Sequence, residues 1–185
     1  MGRLKFFLFL VLAAVATPAL SAPSEIIIIR HAEKPDSGNQ LSPKGFQRAN
    51  ALPQFFEKFP TPVAIFAAGV KQDNPADLDK SIRSIQTVMP LAKKLGLKIH
   101  DEFTKNKTQE LVQTIMTSPQ YDGGLVIICW EHKVIQTIAQ ELGFTTAPQW
   151  SDEVFDRAWI LDFSSSRLVK VSNVGQHLLP GDSPN

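Results

Sequence analysis

Four consecutive isoleucines, Ile26 to Ile29, run straight into Arg30 and His31. A β-branched run without a polar break reads as a strand buried on both faces, the kind found inside a largely parallel sheet. "VAIFAAG", Val63 to Gly69, and "GGLVIICW", Gly123 to Trp130, have the same character. Parallel strands need crossover connections, and helical patterns lie between the runs. Ser42 and Pro43 start one as cap and first residue, and it continues to about Phe56. A second pattern, Asp79 to Lys94, puts Ile82, Ile85, Met89 and Ala92 on one apolar face, with Pro90 predicting a kink or an early end. Thr108 to Thr117 and Lys133 to Leu142 supply two more, the latter stopped by Gly143. "LKIHDEF" is a short third strand, while "RAWILDF" and "RLVKVSN" read as a hairpin through Ser164 to Ser166. Alternation of this kind predicts an α/β fold, a three-layer α/β/α sandwich with a mostly parallel sheet and an antiparallel edge strand. The tail after Leu179 is expected to fray.

The N-terminus follows a different pattern. Arg3 and Lys5 precede an apolar run from Phe6 to Ala16, and Pro18, Ala19, Ser21 and Ala22 follow, the layout of a secretory signal peptide over residues 1–22. The apolar run is shorter than the ~20 residues that span a bilayer, so no membrane span is expected once the leader is removed. Residues 23–185 are expected to form a single domain in a periplasmic or extracellular setting. Cys129 is the only cysteine, which excludes an intramolecular disulfide. The formal charge is +1, and loss of Arg3 and Lys5 with the leader changes it to −1. A balance so close to neutral argues against nucleic acid as a partner. Oligomeric state is not legible.

In open α/β sheets ligands bind beyond the carboxyl ends of the strands. Four segments fall at such places: Arg30-His31 after the first strand, "LSPKGFQRA" just beyond, "SIRSIQT" around Arg83 in the helix after the second strand, and "CWEH" ending in His132. Together they resemble the histidine phosphatase superfamily, the phosphoglycerate mutases and related phosphatases, over nearly the whole chain after the leader. The resemblance implies that His31 attacks phosphorus and is transiently phosphorylated. It implies that Arg30, Arg83 and His132 bind the phosphoryl oxygens. It also implies that neither metal nor cofactor is needed.

Elementary chemistry is consistent with those roles. A nucleophilic imidazole must be neutral, and adjacent guanidinium groups oppose its protonation. Guanidinium forks match phosphate oxygens and stabilise charge in transfer. Two positions depart from the family pattern. Its Arg-His-Gly is Arg-His-Ala here, so Ala32 must accept the backbone angles of a glycine. The family's proton donor often lies after the third strand, where Lys105 falls. Glu131, next to His132, is the preferred substitute that protonates the leaving alkoxide and then activates water, with Glu102 as the alternative. Lys34 and Lys133 flank the mouth and are candidates to attract an anionic substrate. Asn39 and Ser37, on the loop over the pocket, are candidates to touch phosphate. Glu33 reads equally as a solvated partner of Lys34 or as a site residue. His100 and His177 read as structural.

Other chemistries are excluded. "HAE" opens a zinc deaminase signature, but its Pro-Cys-x-x-Cys is absent. Cys129 is followed by no arginine in Trp130 to Ile135 and so lacks the phosphate grip of a thiolate phosphatase. Gly123-Gly124 is not followed by Gly-Lys-Ser/Thr. The expectation is a phosphomonoester hydrolase acting through phosphohistidine on a small phosphorylated substrate or an envelope glycan phosphate. A phosphomutase and a non-catalytic phosphate-binding module are the alternatives. The loops Val70 to Lys80 and Thr145 to Asp156 are expected to wall the pocket.

Overall fold

The computed structural model describes residues 22–70 and 82–183. Residues 1–21 of the expected leader (1–22) and the segment 71–81, which includes the expected start of the second helix and most of one expected pocket wall, lie outside the described residues. Along the chain run β1 (Glu25–Arg30), α1 (Pro43–Phe56), β2 (Pro62–Ala67), α2 (Ile82–Leu95), β3 (Ile99–His100), α3 (Thr108–Thr117), β4 (Leu125–Trp130), α4 (His132–Glu141), β5 (Arg157–Ser164) and β6 (Arg167–Gly175). No helix among the described residues is long and apolar enough to cross a membrane.

The strands form one sheet in the order β3-β2-β4-β1-β5-β6. β1, β2, β3 and β4 are mutually parallel where they pair, and β5 runs against both β1 and β6. The reversed strand is therefore β5, second from the edge, and the edge strand β6 points the same way as β1. Alternate residues of the apolar runs feed two cores. Ile26, Ile28, Phe66, Val126 and Ile128 pack with α3 and α4 through Leu111, Ile115, Ile135 and Ile138. Ile27, Ile29, Ile65, Ile127 and Cys129 pack with α1 and α2 through Leu52, Phe55, Val88 and Leu91. Helices on both faces make the three layers expected, and explain why these strands carry no polar alternation.

Local chemistry sets the ends of the elements. Ser42 Oγ accepts from the Gly45 amide at 3.1 Å, the N-cap bond expected of Ser-Pro. Gly45 lies against the chain after β1, where a Cβ would sit 2.2 Å from the Glu33 carbonyl oxygen, so only glycine lets α1 start so close to β1. Gly143, at φ 100°, closes α4 in a Schellman arrangement, with Phe144 N–H on Ala139 and Gly143 N–H on Gln140. Ser165 and Ser166 both have positive φ, as a two-residue hairpin turn between right-twisted strands requires.

Three expectations need correction. Of the kink or early end expected at Pro90, the early end is absent, and α2 continues to Leu95. Burial of Leu91 and Ala92 beyond the proline offsets the ~3 kcal/mol it costs inside a helix. The buried face of α2 is Ser84, Thr87, Val88, Leu91 and Ala92, whereas Met89 is 51% exposed. The face is rotated because Thr87 turns inward to accept the Ala32 amide at 2.8 Å. Through Ser183 the tail is pinned rather than frayed: Asp182 pairs with buried Arg48 at 2.7 Å and accepts from the amides of Leu178 and Leu179.

Candidate active site

β1 and β4 are neighbours whose onward connections leave in opposite directions, β1 toward β2 and β4 toward β5. The two connections pass each other on opposite faces of the sheet, α1 on one and α4 on the other, and a crevice lies between them at the carboxyl ends. Arg30 pairs with Trp130 in register, and the His31 amide donates to the Trp130 carbonyl at 3.0 Å, so His31 and the Glu131-His132 pair leave the sheet at one level. A cleft of about 350 Å³ lies there, lined by Arg30, His31, Lys34, Gly38, Ala68, Arg83, Ser84, Lys105, Glu131, His132 and Lys133. Among the described lining residues, five cations face a single carboxylate. In a chain of net charge +1, so local an excess of one sign marks an anion site.

His31 is 5% exposed, and its Nδ1 lies 2.8 Å from the Ala32 carbonyl oxygen. That carbonyl can only accept, which assigns the proton to Nδ1 and leaves the lone pair on Nε2. Burial pushes the imidazole pKa down to about 4; the Ala32 hydrogen bond opposes this, and Arg30, Arg83 and His132 add to it. Burial, more than the guanidinium charges expected to do so, keeps the ring neutral. Ala32 has no positive φ, so the alanine found after His31 sits there without strain.

Arg30 is 1% exposed and lies with its guanidinium carbon 3.7 Å from the Phe155 ring centroid. Its Nη1 donates to the carbonyls of Ser151, Asp152 and Val154 at 3.3, 2.5 and 3.1 Å, whereas Nε and Nη2 are buried with no hydrogen-bond partner among the described residues. Burial lowers its pKa to about 10, against the pull of Asp152 and Glu153, and it stays a cation at neutral pH. Two buried donors on one fork are what an incoming oxyanion would satisfy. His132, at the first position of α4, is 8% exposed. Its Nε2 lies 2.8 Å from Asp152 Oδ1 without an aligned hydrogen bond, a contact that is an ion pair only when the ring is protonated. Burial, then Arg30, lower its pKa, outweighing Asp152 and Glu131.

Arg83, in the first turn of α2, lines the cleft, but its Nε donates to Gln40 O at 3.1 Å and its Nη2 to Gly38 O. It therefore carries the loop after β1 as well as facing the cleft. Gly38 lines the cleft and Asn39 does not, because Arg83 draws in the carbonyls on either side of Asn39. Ser37 is likewise outside the lining. Lys34, Lys105 and Lys133 all line it, and Lys105 Nζ is 3.2 Å from Glu131 Oε2. Glu102 is exposed and bonded to His100 Nδ1 at 2.9 Å, away from the cleft. Although burial works against it, the His100 hydrogen bond holds its carboxyl below the usual range, a poor setting for an acid.

Glu33 is neither solvated nor in the cleft. Its carboxylate takes Arg48 in a bidentate pair at 2.8 to 3.1 Å, and Arg48 joins it to Asp182. Thr145 to Asp156 does not wall the cleft; it reaches the site from behind, through the carbonyls on Arg30, the Phe155 ring and Asp152 at His132. Asp152 and Phe155 are the residues that sequence reasoning missed, and Ser84, 3% exposed at the cleft, is a third. Nothing in "SDEVFD" signals that Arg30 will gather its carbonyls. Cys129 is fully buried, and burial raises its thiol pKa, which removes it as a nucleophile.

This architecture is shared with solved phosphate-handling proteins. A protein histidine phosphatase SixA complexed with tungstate superimposes with TM-score 0.58 at 11% identity, covering 82% of this chain and 97% of that one. A mycobacterial glucosyl-3-phosphoglycerate phosphatase with inorganic phosphate gives 0.57 at 13%, over 83% and 98%. Phosphoglycerate mutase from Bacillus anthracis gives 0.51 at 13%, over 85% and 95%. The chain thus has the phosphoglycerate mutase-like histidine phosphatase fold. No protein-family model matches it, and a search of curated proteins finds no match.

Proposed function

We propose that the protein is a phosphatase that works through a phosphohistidine on His31. The observation that carries this reading is a buried, neutral imidazole whose Nδ1 is tied to Ala32, beside an arginine with two unsatisfied buried N–H donors. Phosphoryl oxygens bind Arg30 Nε and Nη2, with Arg83 and His132 on the flanks, and Nε2 attacks phosphorus in line. Glu131, the one carboxylate among the described lining residues, accepts a proton from the water that releases phosphate. These side chains suffice without a metal ion. Solved relatives in fold that are named as phosphatases support the reading.

The test is chemical trapping. Turnover of a labelled phosphoester quenched in base should leave an acid-labile phosphoryl group on the peptide containing His31, because a phosphoramidate survives base and hydrolyses in acid. Phosphate binding without any label or turnover would favour the non-catalytic module, a reading to which the Lys105–Glu131 pair lends support. The pH profile gives a second check. Since His31 titrates near 4, kcat/KM should hold its level through pH 5 to 6 and fall only toward about pH 4. An acid limb centred near 6.5 would mean that burial does not keep this ring neutral.

We also propose export, on the leader-like residues 1–22. Mass spectrometry of protein from its native host should find the mature terminus at Ala22 or Pro23. An intact Met1 in a cytoplasmic fraction would overturn that.

A further inference from the structure

Among its described lining residues the cleft holds more positive charge than one phosphoryl group can use. Arg30, His31 and His132 form its buried floor, at 1, 5 and 8% exposure. Around them stand Lys34 from the loop after β1, Lys105 from the segment after β3 and Lys133 from the first turn of α4. Three ammonium groups from three separate segments converge on about 350 Å³. A transferred phosphoryl group brings at most two negative charges, which Arg30 and Arg83 already match. The lysines repel one another; Glu131 offsets Lys105 alone, and a ligand with a second anionic group relieves the repulsion that remains.

Glu131 points the same way. An alkoxide leaving group has to receive a proton. Glu131 Oε2 is ion-paired with Lys105 Nζ at 3.2 Å, a contact that uses the carboxylate in its proton-accepting form. Glu102 lies elsewhere, on His100. A leaving group that departs as a stable anion needs no proton and is stabilised by a nearby ammonium.

Resting on the phosphohistidine reading, we propose that the substrate is a phosphoanhydride: the terminal phosphoryl group of a diphosphate is transferred, and Lys34, Lys105 and Lys133 hold the inner phosphate. His31 Nε2 forms the N–P bond with its lone pair as the bridging P–O bond breaks. That electron pair stays on the inner phosphate, which leaves as an anion beside Lys105. Water then forms a P–O bond to the phosphohistidine, the N–P pair returns to Nε2, and the proton of water passes to Glu131 and on to solvent. Water is the only co-reactant.

A matched pair of probes tests this on the purified protein. Methyl diphosphate should be cleaved to methyl phosphate and phosphate with kcat/KM at least about 100-fold above that for methyl phosphate. Lys105→Met should lose about tenfold more on methyl diphosphate than on p-nitrophenyl phosphate, whose leaving oxygen needs little help, and Lys105→Arg should recover most of the loss. Methyl phosphate or phosphoramidate turned over as fast as methyl diphosphate, with the His31 label still forming, would overturn the substrate class and leave the phosphohistidine reading intact. Equal losses on both probes in Lys105→Met would likewise overturn it. Absence of label and turnover with every probe would overturn the two readings together.

Discussion

His31→Ala is expected to abolish the acid-labile label and to lower kcat by about ten-thousand-fold or more, the scale seen when a covalent nucleophile is removed. Stability should change little by comparison. The ring lies at the floor of an open cleft, 6.2 Å from the Phe155 ring, and its removal costs on the order of 1 kcal/mol. The check is single-turnover kinetics alongside urea unfolding of the same variant. Turnover above about one per cent of the parent's, with the midpoint unchanged, would reject His31 as the nucleophile.

The second large effect is on stability and lies behind the cleft. Arg48→Met should leave the carboxylates of Glu33 and Asp182, 11% and 4% exposed at the side chain, without their shared cation. Removing one member of a buried ion network costs about 3–5 kcal/mol, or roughly 10 °C in Tm for a chain of this size. Lys44, 3.6 Å from Glu33 but 56% exposed, offsets little of that. A loss under about 1 kcal/mol would mean that the network is solvated and weak. Acid should act on the same group. Burial opposes ionisation of Asp182, yet Arg48 and the amides of Leu178 and Leu179 outweigh it and lower its pKa from 3.8 to about 2. Because the folded value is the lower one, its contribution is present above pH 3.8 and is lost as pH falls toward 2.

The network also shows where sequence reading stops. Arg30, His31, Arg83, Glu131 and His132 were legible because each sits one or two residues from the end of an apolar strand or at the start of a helix, and such ends share one edge of a parallel sheet. The strands announced themselves because burial on both faces removes polar alternation. Arg48 and Asp182 stand 134 positions apart, and no local pattern in "FQRAN" or "PGDS" couples them. Helical periodicity placed the C-terminal end of α2 within one residue but put Met89 inside, because apolar spacing cannot foresee that Thr87 turns inward to hold Ala32. Asn39 failed for a related reason: Arg83 grips the carbonyls beside it, and backbone acceptors carry no trace in side-chain identity. Lys105 was read only as a displaced acid. Its nearness to Glu131 depends on how β3 and β4 lie on either side of β2.

The bond from the His31 amide to the Trp130 carbonyl, between the two innermost parallel strands, makes the proposed nucleophile a reporter on the whole molecule. Arg30 and Trp130 beside it are at most 1% exposed, so solvent deuterium reaches this amide when the carboxyl ends of β1 and β4 part. Its exchange rate then reads the free energy of that opening, while amides in the polar loop after β1 exchange through smaller ones. Arg48→Met would speed exchange at His31 without touching a residue of the cleft, so catalytic geometry at this position persists only as long as the native state itself.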